Sequence, residues 1–425
     1  MTRKFRKITL KNGLRIVLAP QASSFAASVL VLVEAGSEYE TKPMNGLSHF
    51  LEHMTFKGTV TRPRAGAIAE ELAALGAQSN AFTSQEFTGY WAKAEAHKLS
   101  RVIDIVSDLY LNPLFAPEEI EKERGVIIEE INMYEDIPMR KVQDLFLEAV
   151  YGDQPAGWDV AGTKENIRRF TKEDCVRYRA ERYVMPGTVI AISGKFNEAK
   201  VLRQIRDTFG KLPAKRAPKK PKTRDVQARP KILVKHKESD QGHFVLGYRA
   251  FDVFDGRRYA LQVLSDILGG GMSSRLWKKV REELGAAYYI NADTEYFSDH
   301  GVFGISAGVD HGKVELVLRT ILDELRKATS ELVPADELQR AKDHMTGGLL
   351  LGLETSDELA SFYGGAEILT RELLPPETII DRIKKVTAEE VRSMAKEIFK
   401  AKRLNLAIIG PYRNEAIFEN ILREQ

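Results

Sequence analysis

Two stretches of this chain repeat one another at a fixed distance, and that repeat limits the architecture more than any other feature. Thr171-Lys-Glu-Asp174 opens one helix-like segment, which leads to the apolar run Val189-Ile-Ala-Ile-Ser-Gly194. Thr387-Ala-Glu-Glu390 opens another, which leads to Leu404-Asn-Leu-Ala-Ile-Ile-Gly410. The threonines and the glycines are both 216 positions apart. Thr followed by acidic residues caps a helix N-terminus, and a short apolar run ending in Gly reads as a buried strand. Pro117–Arg124 and Pro334–Arg340 add a third likeness, with a one-residue slip. A chain of 425 residues exceeds what one hydrophobic core supports, so an internal duplication near half its length is expected.

Between the copies lies Lys211-Leu-Pro-Ala-Lys-Arg-Ala-Pro-Lys-Lys-Pro221, proline-punctuated, densely basic and without apolar periodicity. It reads as an extended, self-repelling linker rather than a nucleic-acid patch, since no aromatics are interleaved. The expected organisation is therefore an amino-terminal domain over 1–210, a linker over 211–229 and a homologous domain over 230–425. Strands are expected at Ile8–Leu18 (a hairpin turning at Asn12-Gly13), Ala27–Val33, Thr88–Ala92, His243–Tyr248 and Gly301–Ser306. Helices are expected at Arg64–Leu75, His97–Tyr110, Pro117–Tyr134, Arg257–Leu268 and Gly312–Thr329. The class is α+β: in each half, helices cover one mostly antiparallel sheet.

Charge excludes some functions. Sixty-three basic residues against 60 acidic ones leave a net charge of +3, which argues against nucleic acid or an anionic membrane as the main partner. No apolar run approaches the roughly 20 residues of a membrane span. The basic amino terminus, MTRKFRK, lacks the apolar core of a secretory signal and runs directly into the hairpin, so a cytoplasmic location is expected. Cys175 is the single cysteine; it excludes an intrachain disulfide and a cysteine-based zinc site, and its own role reads as structural.

The chemistry concentrates in His49-Phe-Leu-Glu52-His53. Residues three and four apart share a helix face, so His49 and His53 can hold one ion with Glu52 beside it. Neutral imidazole is a preferred zinc donor, and zinc with three protein ligands keeps a position for water. The order H-x-x-E-H is the inverse of the H-E-x-x-H metalloprotease helix. The second copy carries no such motif, so only the first half can hold the metal. A third ligand must be His, Asp or Glu, and the acidic helix from Pro117 offers many. Glu123 and Glu130, seven apart beside the apolar stripe Ile120, Val126, Ile127, Ile128 and Ile131, stand out, but spacing alone does not choose between them. The other histidines, His97, His236, His243, His300, His311 and His344, have no partner at ligand spacing and read as core or surface residues.

Gly46–Thr59 with Arg62-Pro63 resembles the zinc motif of the pitrilysin/insulinase family, in the short-chain branch that includes mitochondrial processing peptidase and its bacterial relatives. Gly76–Ser84 and Glu123–Glu130 are similar to that family's next two blocks, and Leu268–Leu276 with Arg281 and Tyr288 to its second-half signature. The resemblance implies Zn2+ held by His49, His53 and Glu130, with Glu129 as the adjacent competitor. It implies Glu123 as a carboxylate steadying a ligating imidazole, and Glu52 as general base of a metalloendopeptidase. It further implies that Asn80, Ala81 and Phe82 belong to an edge strand that a peptide substrate extends, and that Arg281 and Tyr288, rather than Tyr289, hold its carbonyl oxygens. Read without the family, Trp277–Leu284 is an amphipathic helix ended by Gly285, with Arg281 on its solvated face. Gly269-Gly-Gly271 follows a helical stretch and lacks the lysine of a phosphate loop, so it reads as a close-packed or mobile turn. In the family four such units enclose a clamshell chamber; this chain holds two, which implies a homodimer. The rival readings are a non-catalytic scaffold, a subunit needing an unlike partner, and a metal-binding module without hydrolysis.

Overall fold

The computed structural model describes residues 5–423, so the first four positions of the basic amino terminus lie outside the described residues. The helices in chain order are α1 (Leu47–Thr55), α2 (Ala67–Ala74), α3 (Leu99–Leu111), α4 (Pro117–Asp136) and α5 (Pro138–Tyr151). Next come α6 (Lys164–Arg169), α7 (Lys172–Arg182), α8 (Glu198–Phe209), α9 (Arg258–Gly269) and α10 (Val314–Ser330). The last five are α11 (Ala335–Leu351), α12 (Ser356–Leu369), α13 (Pro376–Lys385), α14 (Ala388–Ile398) and α15 (Ala416–Arg423). The helices opening at Thr171 and Thr387 each carry a full capping box, the threonine side chain bonding the N3 backbone and the N3 carboxylate bonding back.

The first half supplies β1 (Arg6–Thr9), β2 (Arg15–Pro20), β3 (Ala26–Val33), β4 (Gln78–Thr83), β5 (Thr88–Glu95) and β6 (Thr188–Gly194). They form one sheet in the order β1-β2-β6-β3-β5-β4, parallel only between β2 and β6. The second half supplies β7 (Lys231–His236), β8 (Gly242–Ala250), β9 (Ala287–Tyr296), β10 (Gly301–Val309) and β11 (Leu404–Gly410). Their order is β7-β11-β8-β10-β9, parallel only between β7 and β11. From β2 onward the two orders correspond strand for strand, β1 being an addition to the first sheet, and the sequence repeat falls on the inserted strands β6 and β11.

Both of those strands are buried along their whole length. Successive side chains point to opposite faces, so such a strand needs a cover on each side. On one face of the first sheet Ile16, Val29, Val31, Ile190 and Ile192 join the core built with α1, α3, α4 and α8. The opposite face is covered by α12, which packs on β2, β3 and β6 although it comes from the second half of the sequence. A Cβ at Gly364 of α12 would stand 3.0 Å from Leu32 Cδ1 and 3.1 Å from Ala191 Cβ, so glycine permits this close approach. In the second sheet the counterpart is α5, from the first half, whose Val142, Phe146 and Val150 pack with Val245, Val302, Ala407 and Ile409.

The compact units are consequently discontinuous: 1–132 with 159–221 and 350–375, and 133–158 with 222–349 and 376–425. The contiguous division at 210 and 230 does not foresee this exchange, because α5 and α12 look like ordinary amphipathic helices and carry no mark of which sheet they cover. One charge of the linker is paired within the first unit. Lys220 Nζ lies 2.5 Å from Glu38 Oε2 and 2.7 Å from Glu86 Oε1, with all three side chains buried. Its positive charge is neutralised by acids far away in sequence, which a local count of charges cannot reveal.

A buried charge cluster fastens α12 in place. Arg15 Nη1 donates to the Glu367 carbonyl at 2.8 Å and stands 3.4 Å from Glu367 Oε1, while Lys7 Nζ lies 2.8 Å from Glu367 Oε2. Removing one member of a buried ion pair leaves an uncompensated charge, at a cost of about 3–5 kcal/mol. Glu367→Ala is therefore expected to lower unfolding stability by about that amount in urea titration, while an Arg15→Met/Glu367→Leu double variant recovers most of it. A single variant within about 0.5 kcal/mol of the parent would contradict this assignment.

Candidate metal centre

Helix α1 begins at an exceptional start. Gly46 has φ +97°, and a Cβ there would meet Ala161 O at 2.7 Å, so no side chain is available at the cap position. The orphan donors are taken instead by Glu40, which precedes the helix. Its Oε2 accepts from Gly46 N at 2.8 Å and from Asn45 Nδ2 at 3.2 Å, and its Oε1 accepts from Ser48 N at 2.6 Å. Burial nevertheless pushes the Glu40 carboxyl up to about 7, against those hydrogen bonds. Leu47, Phe50, Leu51 and Met54 sink into the core, which turns His49, Glu52 and His53 toward the opposite face.

His49 Nε2 and His53 Nε2 face each other at 3.3 Å. Glu130 Oε2, on α4, completes a triangle at 3.2 Å from His53 Nε2 and 3.7 Å from His49 Nε2. Donors about 2.0–2.1 Å from a tetrahedral zinc stand about 3.3–3.4 Å from one another, so this donor set fits such an ion. Glu129 points to solvent and takes no part in the triangle. One heptad earlier on α4, Glu123 is buried: its Oε1 lies 2.9 Å from His53 Nδ1 and its Oε2 2.6 Å from Lys57 Nζ. A carboxylate at Nδ1 keeps the proton on that nitrogen and leaves Nε2 as the donor atom. Burial opposes the charge on Glu123, but its hydrogen bonds with His53 and Lys57 hold it below the usual carboxylate range.

The two imidazoles are driven apart in basicity. Burial, then the charge of His53, lowers His49 to about 4. Burial also opposes charge on His53, but hydrogen bonds to Glu123 and Glu130 outweigh it and raise that ring to about 9. Burial raises Glu52 above its ordinary value, partly offset by a hydrogen bond from the Thr83 hydroxyl to Oε2 at 2.5 Å.

The structure brings His49, His53, Glu130, Glu123 and Glu52 together on α1 and α4. Asn80, Ala81 and Phe82 lie on β4, the outermost strand of the first sheet. Ala81 N–H donates to Asn80 Oδ1 at 2.9 Å. Arg281 and Tyr288 belong to the second compact unit. Trp277–Glu283 is wound as a π-helix instead of the expected α-helix, and Leu284 N reaches back to Lys279 O at 3.1 Å. Arg281, partly exposed, lies over the Trp277 ring at 4.5 Å and the Tyr288 ring at 5.6 Å. Tyr288 is exposed, whereas Tyr289 is drawn inward to His243 Nδ1 at 3.2 Å. Gly269, the last residue of α9, is closely packed, since a Cβ there would meet Ala292 N at 2.3 Å. Sequence reasoning missed Glu40, Lys57 and Thr83. Lys57 lies one turn past His53 and could have been found from that spacing; Glu40 and Thr83 act across loops that leave no periodic trace.

With this geometry in place, the comparisons with known proteins fall into line. Residues 15–164 match the domain described as Insulinase (Peptidase family M16), and residues 169–345 match the Peptidase M16 inactive domain. An uncharacterized zinc protease of Streptomyces coelicolor is 35% identical over 416 residues, 96% of this chain and 90% of that protein. The uncharacterized zinc protease YmxG of Bacillus subtilis is 34% identical over 409 residues, 96% of this chain and 99% of the relative. A protease structure from Helicobacter pylori superposes with a TM-score of 0.90 at 24% identity, covering 97% of this chain and 100% of that one. A peptidase M16 inactive domain from Pseudomonas fluorescens reaches 0.88 at 17% identity, covering 96% and 99%. A peptidase fold of two sheet-and-helix halves is thereby defined, and the chain belongs to the insulinase (peptidase M16) family.

The split between the imidazoles has a measurable result. His53, raised to about 9, carries a proton at neutral pH where a cation would sit, whereas His49, lowered to about 4, does not. Metal binding at pH 6, where a metal-bound water of pKa about 7 still keeps its proton, is expected to release about one proton, measured by calorimetry in buffers of different ionisation enthalpy. Affinity then rises about tenfold per pH unit around that pH. Release of no proton, or of two, would contradict this.

Proposed function

We propose that this chain is a zinc-dependent endopeptidase acting on peptides or unfolded polypeptide segments. The observation that carries the reading is the triangle of His49 Nε2, His53 Nε2 and Glu130 Oε2, with edges of 3.3, 3.2 and 3.7 Å and a further carboxylate, Glu52, on the helix of the two histidines. The names of the relatives support the choice of metal and of reaction.

His49, His53 and Glu130 would hold the ion, which supplies Lewis acidity and acidifies a water from 15.7 to about 7. Glu52 takes the water proton during attack on the peptide carbonyl and returns it to the leaving amine. Its raised basicity, from burial, suits that exchange. Glu123, anchored by Lys57, fixes the tautomer and tilt of His53. The free edge of β4 at Asn80, Ala81 and Phe82 receives the substrate as an added strand through backbone hydrogen bonds. Arg281 and Tyr288 hold substrate carbonyl oxygens, the exposed phenol donating a hydrogen bond. The active form is a homodimer. The single cysteine suits a reducing cytoplasm, and among the described residues no helix is long and apolar enough to cross a membrane.

Glu52→Gln is expected to keep stoichiometric metal and to lose on the order of 10²–10⁴ in kcat on a quenched fluorogenic peptide. Glu130→Gln loses metal as well as cleavage. Cleavage by Glu52→Gln at the parental rate would remove the base assignment, and full metal retention by Glu130→Gln would remove the ligand assignment. Mixing Glu52→Gln with Tyr288→Phe under subunit exchange is expected to restore activity if Tyr288 serves the partner's site. No recovery, together with full activity of the isolated wild-type monomer, would refute the shared dimeric site.

A further inference from the structure

We infer that Thr83 is a positioning residue for Glu52, so that the strand offered to the substrate also sets the orientation of the base. Thr83 Oγ1 donates to Glu52 Oε2 at 2.5 Å, the one hydrogen bond to the Glu52 carboxylate among the described residues. Thr83 is the last residue of β4, the outermost strand of its sheet. Its own position is fixed from both sides. It pairs with Thr88 of β5, whose hydroxyl donates to Ala35 O at 2.8 Å. Immediately beyond it, Ser84 N donates to Phe87 O at 2.9 Å, and Glu38 N donates to Gln85 O at 2.9 Å, which pins the turn between the two strands.

A carboxylate on a helix can rotate about its last two side-chain bonds, and a general base must present one oxygen in a defined direction. The hydroxyl of Thr83 has a single proton, and it is spent on Oε2. Oε1 is thereby left as the oxygen free to accept a proton. Thr83 thus acts through Glu52 and not on the substrate. A peptide added along β4 would lie against the same strand that steers the base, so docking and proton transfer share one rigid element. The kinetic consequence rests on the peptidase reading above; the orientation of Glu52 does not.

The test compares Thr83→Val, which keeps the shape and removes the donor, with Thr83→Ser, which keeps the donor. For Thr83→Val, kcat is expected to fall on the order of 10²-fold, the effect of about 1 Å of misplacement, with KM within about threefold and metal content unchanged. Thr83→Ser should recover kcat to within about threefold of wild type, and Thr83→Val should add nothing in a Glu52→Gln background. Crystal structures of the metal-free variants give a readout independent of activity: Glu52 should swing away in the valine variant and keep its place in the serine variant. An unmoved Glu52 in Thr83→Val, or a kcat within twofold of wild type, would overturn the inference. So would a serine variant as impaired as the valine one. A wild-type protein that binds metal and cleaves nothing would sink the peptidase reading instead, and the crystallographic comparison would still decide the role of Thr83.

Discussion

The double-sided burial of β6 and β11 governs this molecule. Each strand sits inside its sheet, parallel to one neighbour and antiparallel to the other, with every residue out of contact with water. An apolar strand of that kind is stable only between two layers. The local helices of each half supply one layer, and α12 and α5 supply the second by exchange. The charge cluster of Arg15, Lys7 and Glu367 then fixes where α12 lies, and the packing of Phe146 against Val245 and Ile409 does the same for α5.

On that platform the metal centre is a matter of two helices and what holds them. Helix α1 cannot be capped by its own glycine, so Glu40 reaches over from the preceding segment to satisfy its first amides. Helix α4 presents Glu130 and Glu123 on one face two turns apart, one toward the imidazole nitrogens and one toward the outer nitrogen of His53. Lys57, one turn beyond His53, closes that arrangement by neutralising Glu123. Each of these contacts removes a degree of freedom from a side chain that the proposed chemistry needs in one place.

Much of this could be read from residues alone, and the reasons differ by element. Strands β3, β8 and β11 announce themselves through apolar runs, and the helices at Thr171 and Thr387 through their caps. The H-x-x-E-H spacing places its three polar side chains on one face by helix geometry. The third member of the donor triangle was not readable from spacing, because Glu123 and Glu130 are equivalent until the partner helix is in position. What stayed hidden is non-local: the exchange of α5 and α12, the burial of Lys220 between Glu38 and Glu86, the cap from Glu40 and the hydroxyl of Thr83. The π-helix at Trp277–Glu283 was hidden for another reason, since its amphipathic pattern is the one an α-helix would show.

The helix exchange reaches beyond stability. Because each half of the sequence roofs the other half's sheet, a cut at the basic connector would leave both fragments with a bare greasy sheet face. The two copies are thus one covalent piece of architecture rather than a pair of separable modules.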